Sequence, residues 1–457
     1  MLFSSLTFLY YFLPVTLLVC FVAPMRMKNG VLMLASLIFY AWGEPKYVVL
    51  MIVSIIVGYV AGRWIEMFQG QTSSKYILAG TVLIHLGCFV YFKYTDFILS
   101  NVNRLIGSDF AMLKLALPIG ISFYTFQILS YEVDVYRGKV RAQRSLINLA
   151  AYISMFPQLI AGPIVRYSDI ESQLVERRMY GGQLMEGIRR FVIGLTKKVL
   201  IANTLGELCE IFKASNDWSV FYVWLYAISF TLHIYYDFSG YSDMAIGLGR
   251  ILGFEFMENF NYPYISRSVT EFWRRWHMSL GQWFRDYVYI PLGGNRCKKS
   301  RWIVNILIVW SLTGLWHGAE WNFALWGLYF ALLLLAEKLW FGKKLESHPM
   351  IGHIYTCFCV VIGFVLFNAA NLTEAITYIR ALFGIGMDRL VSAEFFYYVK
   401  SYGILIIISI IGATPLVKKY AGKIPALVEM ILLVCGVLLA TASLVDGSFN
   451  PFLYFRF

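Results

Sequence analysis

Long apolar runs separated by short polar stretches set the pattern of this 457-residue chain. The runs fall near residues 6–22, 30–43, 47–62, 76–92, 113–136, 145–161, 187–203, 219–250, 302–335, 352–369, 402–417 and 425–445. A helix needs about 20 apolar residues to cross a bilayer, so the series predicts an all-α polytopic membrane protein with roughly eleven transmembrane helices. Runs broken by Gly and Pro, notably 145–163 with its FPQLIAGP, are too short to cross alone and predict re-entrant or half-helices lodged inside protein. No repeat, low-complexity tract or linker to a soluble domain breaks the series, and residues 1–457 read as a single integral-membrane domain.

Composition narrows the class further. The chain is 59% hydrophobic and 14% charged, against about 45–50% and about 25% in soluble domains. A water-soluble enzyme, a disordered chain and a nucleic-acid-binding module are all disfavoured. The excess of 39 Lys+Arg over 27 Asp+Glu reads as orientation and contact with anionic lipid headgroups rather than as a nucleic-acid site. The run Leu6–Val22 lacks a basic n-region and a cleavage site, and predicts a retained first span with the N-terminus outside. Alternating from there, Arg26, Lys28, Arg63, Lys75, Arg137, Lys139, Arg141 and Arg144 fall inside, against Lys46, Lys93, Arg104 and Lys114 outside. Of the seven cysteines, five sit inside long apolar runs with no metal-ligand spacing and read as buried small hydrophobes, while Cys297 in GNRCKK is open to lipidation.

The longest stretch that is neither uniformly apolar nor a tail is 253–301. Ser268 and Glu271 form an S-x-x-E capping box. At about 100° per residue, Phe272, Trp273, Trp276, Leu280, Trp283, Phe284 and Tyr287 share one arc, with Arg274, Arg275, Gln282, Arg285 and Asp286 opposite. The pattern predicts one amphipathic helix half-sunk at headgroup level. His277 sits at the edge of the aromatic arc, where both a packed histidine and a chemical one fit.

The run 302–336 is interrupted by GLWHGAEWN, which puts His317 and Glu320 about 20 Å beyond the interface if the entry is helical. Ionisable groups at such depth mark functional sites. Gly314 and Gly318 allow close approach of a backbone or a substrate, and Trp316 and Trp321 supply flat walls. A neutral imidazole there can take a proton from a hydroxyl during acyl transfer; the other reading is a histidine satisfied by helix packing. His85 and His233, in unbroken apolar runs, read as hydrogen-bonded core residues. The polar island YYDFSGYSDMAIG at 235–247 offers Asp237, Ser239, Ser242 and Asp243 for a pathway or for pairing within the bundle. No P-loop, nucleophile elbow or H-E-x-x-H motif occurs.

Five dispersed blocks then stand together: LPIGISFYTFQILSYEVDVYRGK at 117–139, FPQLIAGPIVRYSDI at 156–170, the YYDFSGYSDMAIG island, FWRRWHMSLGQWFRDYVYIPLGGNR at 272–296 and GLWHGAEWNFALWG at 314–327. They resemble the membrane-bound O-acyltransferase family, in its bacterial branch of alginate, peptidoglycan and other polysaccharide O-acetyltransferases. The resemblance covers nearly the whole chain. It implies many helices around a central funnel with His317 at its floor, and His277 at the family's second characteristic polar position. By the same likeness Trp273, Arg274, Arg275, Trp276, Ser279, Trp316, Glu320 and Asn322 would line the funnel or bind the donor. A multi-pass protein of the bacterial cytoplasmic membrane is implied, with no tightly bound cofactor and no metal.

The segment 447–457, ending FNPFLYFRF, resembles an acyl-transfer motif of this branch and of the small partner in the related D-alanyl system, with Tyr454 as the acyl carrier. An aromatic belt anchoring the last span is the other reading. Together these features imply that acetyl-CoA enters from the cytoplasm, that His317 acts as base on the Tyr454 hydroxyl, and that His277 orients the donor or stabilises charge. An extracytoplasmic SGNH-type transferase would then pass the acetyl group to a polysaccharide. D-alanyl transfer to a cell-wall polymer, a transporter of donor or polymer, and a non-catalytic scaffold are the alternatives.

Overall fold

The computed structural model describes residues 1–177, 181–447, 449–451 and 453, and among these every regular element is helical. The chain divides into two compact units, Met1–Phe191 with Tyr241–Met257 and Val192–Gly240 with Glu258–Phe457.

The first unit holds α1 (Phe8–Val22), α2 (Met25–Gly43), α3 (Tyr47–Met67), α4 (Thr72–Ile106), α5 (Ile121–Tyr136), α6 (Leu146–Ser154), most of α7 (Gly181–Thr196) and the end of α8 (Val220–Ile251). Small residues let its helices close on one another: a Cβ at Gly62 of α3 would lie 2.6 Å from Tyr131 Oη of α5. One inward-facing carboxylate is matched by its neighbours. Glu132 accepts a hydrogen bond from Thr81 Oγ1 at 3.1 Å, and its other oxygen lies 3.3 Å from His85 Nε2, so His85 is held in the core.

The second unit holds the body of α8, then α9 (Val269–Arg275), α10 (Met278–Phe284), α11 (Lys299–His317), α12 (Trp321–Ala336), α13 (Pro349–Asn368), α14 (Leu372–Leu382), α15 (Ala393–Gly412) and α16 (Ala426–Asp446). Helices α15 and α16 leave most of their apolar surface uncovered, Ile404 and Leu427 among the exposed residues. Such surface is stable against hydrocarbon rather than water.

Six helices among the described residues are long and apolar enough to cross a bilayer: Tyr47–Met67, Thr72–Ile106, Trp321–Ser347, Pro349–Asn368, Ala393–Gly412 and Ala426–Asp446. Several other apolar runs are cut short by local backbone geometry. The run 113–136 becomes helical only at Ile121, because Gly120 takes φ 76° against the Leu159 carbonyl, where a Cβ would sit 2.8 Å from that oxygen. The run 145–161 breaks at Met155, two residues before Pro157, leaving α6 and a buried turn Phe156–Leu159. The run 302–335 folds back on itself between α11 and α12.

That hairpin is close-packed at backbone level. A Cβ at Gly327 would lie 2.2 Å from the Trp310 carbonyl oxygen, and one at Gly314 would lie 2.3 Å from that of Phe323. Neither obstacle is a flexible side-chain end, so Gly327→Ala should cost at least the roughly 1–3 kcal/mol typical of overpacking. The expected readout is a lowered thermal midpoint in detergent; an unchanged midpoint would show that the two helices can separate freely.

Candidate active site

The segment predicted as one amphipathic helix is two. Ser268 Oγ caps α9 by accepting from the Glu271 N–H at 3.0 Å. The chain then leaves the helix at Trp276, turns through His277 at φ 45°, and restarts as α10. A non-glycine residue in the left-handed region carries strain that its surroundings must hold in place. Here the holder is Asn259, eighteen residues earlier. Its carbonyl accepts from the Met278 N–H at 2.9 Å, while the Asn261 N–H donates to the Arg275 carbonyl at 2.9 Å. The Asn259 Oδ1 receives the Ser279 hydroxyl at 2.9 Å and His277 Nδ1 at 3.0 Å.

This contact sets the state of the histidine. An amide oxygen only accepts, so Nδ1 carries the proton, and Nε2 of the neutral ring presents a lone pair. Nε2 is buried with no hydrogen-bond partner among the described residues. Desolvation pushes the imidazole down to about 3, which keeps it neutral at physiological pH. His277 is therefore built to accept a hydrogen bond, and its low basicity suits orientation better than proton removal. Asn259→Leu should release the ring from this tautomer and remove the acceptor that His277 Nδ1 and the Ser279 hydroxyl and N–H share, at about 1–3 kcal/mol for a buried group left unsatisfied. A lowered melting midpoint should accompany weakened donor binding; unchanged donor affinity would separate Asn259 from the site.

His317 closes α11 and is buried among rings, with centroids 4.9 Å from Trp316, 5.2 Å from Trp326 and 5.3 Å from Phe367. Trp316 also lies 6.1 Å from His277, so one indole is flanked by both candidate histidines. Trp273 packs on Trp310 at 4.8 Å and on Trp326 at 5.4 Å, closing an aromatic enclosure, and Trp276 packs on Phe364 at 5.0 Å. Asn322 is buried and donates to the Ala369 carbonyl at 2.8 Å, whereas Glu320 is exposed at the turn before α12. Gly318 faces the Phe323 ring, so with Gly314 it serves helix packing rather than a substrate.

A cavity of about 230 Å³ adjoins His277, walled by Trp273, Trp276, Leu280, Phe284, Val309, Trp310 and Leu334, with Thr313, Arg285, Tyr289 and Lys338 as polar members. Ligand pockets commonly span about 300–1,000 Å³, so this one suits a slender arm rather than a whole nucleotide. Arg274 is exposed, and Arg275 is held by Glu271 at 2.9 Å and the Asn261 carbonyl at 3.1 Å; neither lines the cavity. The basic residues that do, Arg285 and Lys338, carried no distinguishing signal in the sequence, and neither did Asn259. His233 is a core residue, Nδ1 lying 2.7 Å from the Ala202 carbonyl oxygen. Asp243 pairs with Arg190 at 2.9 Å and Asp237 with Lys198 at 2.6 Å. Tyr454 lies outside the described residues.

A helical membrane chain that encloses two buried imidazoles in an aromatic shell beside a cavity with basic groups in its wall holds side chains suited to catalysis within the membrane protein. It belongs to the membrane-bound O-acyltransferase family, MBOAT, which matches residues 112–363. The chain is 36% identical to the probable alginate O-acetylase AlgI of Azotobacter vinelandii, over the whole of both chains. It is 42% identical to the protein of that name from Pseudomonas syringae pv. tomato, over 84% of this chain and 76% of the relative. It is 33% identical to the peptidoglycan O-acetyltransferase of Helicobacter pylori, over 84% and 80% respectively.

Proposed function

We propose that this protein takes an acetyl group from cytoplasmic acetyl-CoA and hands it across the membrane for O-acetylation of an extracytoplasmic polysaccharide. One observation carries the reading: relatives named for two different polymers, alginate and peptidoglycan, each align with more than four-fifths of the chain. What they share fits the acetyl-handling step, and the choice of polymer then falls to a partner, an SGNH-type transferase on the outer face.

In the proposed reaction His317 removes the proton of the accepting hydroxyl, that of Tyr454, as its oxygen attacks the thioester carbonyl. An O–C bond forms, the C–S bond breaks, and the proton passes from His317 to the departing thiolate. His277 orients the donor by accepting a hydrogen bond at Nε2; with its proton committed to Asn259 it has none to give a developing oxyanion. Arg285 and Lys338 draw the donor's phosphates toward the cavity. The acetyl phenol ester is then released to the partner's serine.

The test is transfer of labelled acetyl from acetyl-CoA by the purified protein, followed by mass analysis of its C-terminal peptide. Label on Tyr454 supports the relay. Donor cleavage without label there discards the relay and keeps the acetyltransferase, and no turnover with acetyl-CoA replaces the donor.

A further inference from the structure

The second unit buries one charged pair that the acetyl chemistry does not use. Lys198, in the π-helical turn Lys197–Ala202, lies 2.6 Å from Asp237 of α8, and both side chains are 1% exposed. Removing two charges from water is so costly that well-packed apolar residues often serve stability as well or better. The pair is therefore poorly explained as a staple, and its remaining contacts supply a reason.

Both charges meet the C-terminal segment. Lys198 Nζ donates to the Pro451 carbonyl and, at 2.8 Å, to Asn203 Oδ1. Asp237 Oδ2 accepts from the Leu453 N–H at 3.0 Å, and Asn203 Nδ2 donates to Asn450 Oδ1 at 3.2 Å. The Leu453 side chain is buried in the same core. The cation thus reads a carbonyl and the anion reads an amide two residues on, so the segment fits in one direction and one register.

We propose that Lys198, Asp237 and Asn203 form a docking site for the chain's own Asn450, Pro451 and Leu453, and that this site positions the acetyl acceptor that follows them. The second half rests on Tyr454 being that acceptor. A trans peptide sets successive Cα atoms about 3.8 Å apart, so holding Leu453 restricts the reach of the chain that follows it. Lys198, Asp237 and Asn203 are positioning residues, acting on the reaction only through the tail.

The test uses the full-length protein and two measurements: amide hydrogen exchange of the peptide containing Leu453, and acetyl label on Tyr454. Leu453→Pro deletes the N–H that Asp237 accepts and leaves the ion pair whole. Lys198→Met combined with Asp237→Leu removes both charges together, so no lone charge stays buried. In wild type the Leu453 amide should exchange at least about 100-fold more slowly than an open chain, and the double variant should lose that protection; Leu453→Pro has no amide at that position and is read by labelling. Misplacement of about 1 Å can cost about 10²-fold in rate, so kcat for Tyr454 labelling should fall by that order with KM for acetyl-CoA unchanged. Fast exchange in wild type, or protection surviving the double variant, overturns the docking site. Lost protection with labelling at the wild-type rate overturns the positioning role. A wild type that never labels Tyr454 ends the acceptor reading, and exchange still decides the docking site.

Discussion

Replacing His317 with alanine should lower acetyl transfer by about 10²–10⁴-fold, the range that a positioned general base contributes. The ring is packed on Trp316, Trp326 and Phe367, so alanine also leaves a void, and part of any loss could come from slackened packing. His317→Gln separates the two effects. It fills most of the space and still hydrogen-bonds, yet has no nitrogen able to take a proton at neutral pH. Both variants should lose kcat by a similar factor with little change in KM for acetyl-CoA, the pattern of an interaction made only in the transition state. A glutamine variant near the wild-type rate would reduce His317 to a packing residue.

His317 could be singled out in the sequence because an ionisable residue inside an apolar run stands out whatever the tertiary structure. The membrane class and the helical fold were legible for the same reason: they follow from run length and composition, which are local. The break at Trp276–His277 was hidden because the aromatic period continues across it. Phe272, Trp276, Leu280 and Trp283 keep their spacing, and no Gly or Pro lies between Phe272 and Leu280. What stops the helix is Asn259, a tertiary partner that competes for the backbone at Met278 and for the side chains of His277 and Ser279.

The cavity was hidden in the same way. Its basic members come from two elements far apart in sequence, Arg285 just past α10 and Lys338 just past α12, whereas the adjacent pair Arg274 and Arg275 drew the eye by clustering. One of that pair is spent on Glu271 and Asn261. Apolar runs and helices also differ in extent: Gly120 at positive φ delays the start of α5, and α6 stops at Ser154, two residues before the Phe156–Pro157 pair.

The second large effect is expected at Tyr454. Tyr454→Phe should remove all label from the C-terminal peptide and bring transfer to any external hydroxyl down to the enzyme-free background. The argument rests on leaving-group chemistry. A phenol, with pKa near 10, leaves far more readily than an alkyl alcohol, so an acetyl-tyrosine ester still holds enough energy to acylate a serine. Phenylalanine keeps the ring and loses only the hydroxyl. Tyr454→Ala loses both. If the tail were simply an aromatic belt at the interface, the phenylalanine variant would transfer acetyl normally and only alanine would fail. If Tyr454 carries the acetyl group, the two variants fail alike, and the phenylalanine protein keeps the slow exchange at Leu453 that marks a docked tail. Transfer by Tyr454→Phe at the wild-type rate would assign the acceptor role to a hydroxyl outside this chain, with His317 acting on it directly.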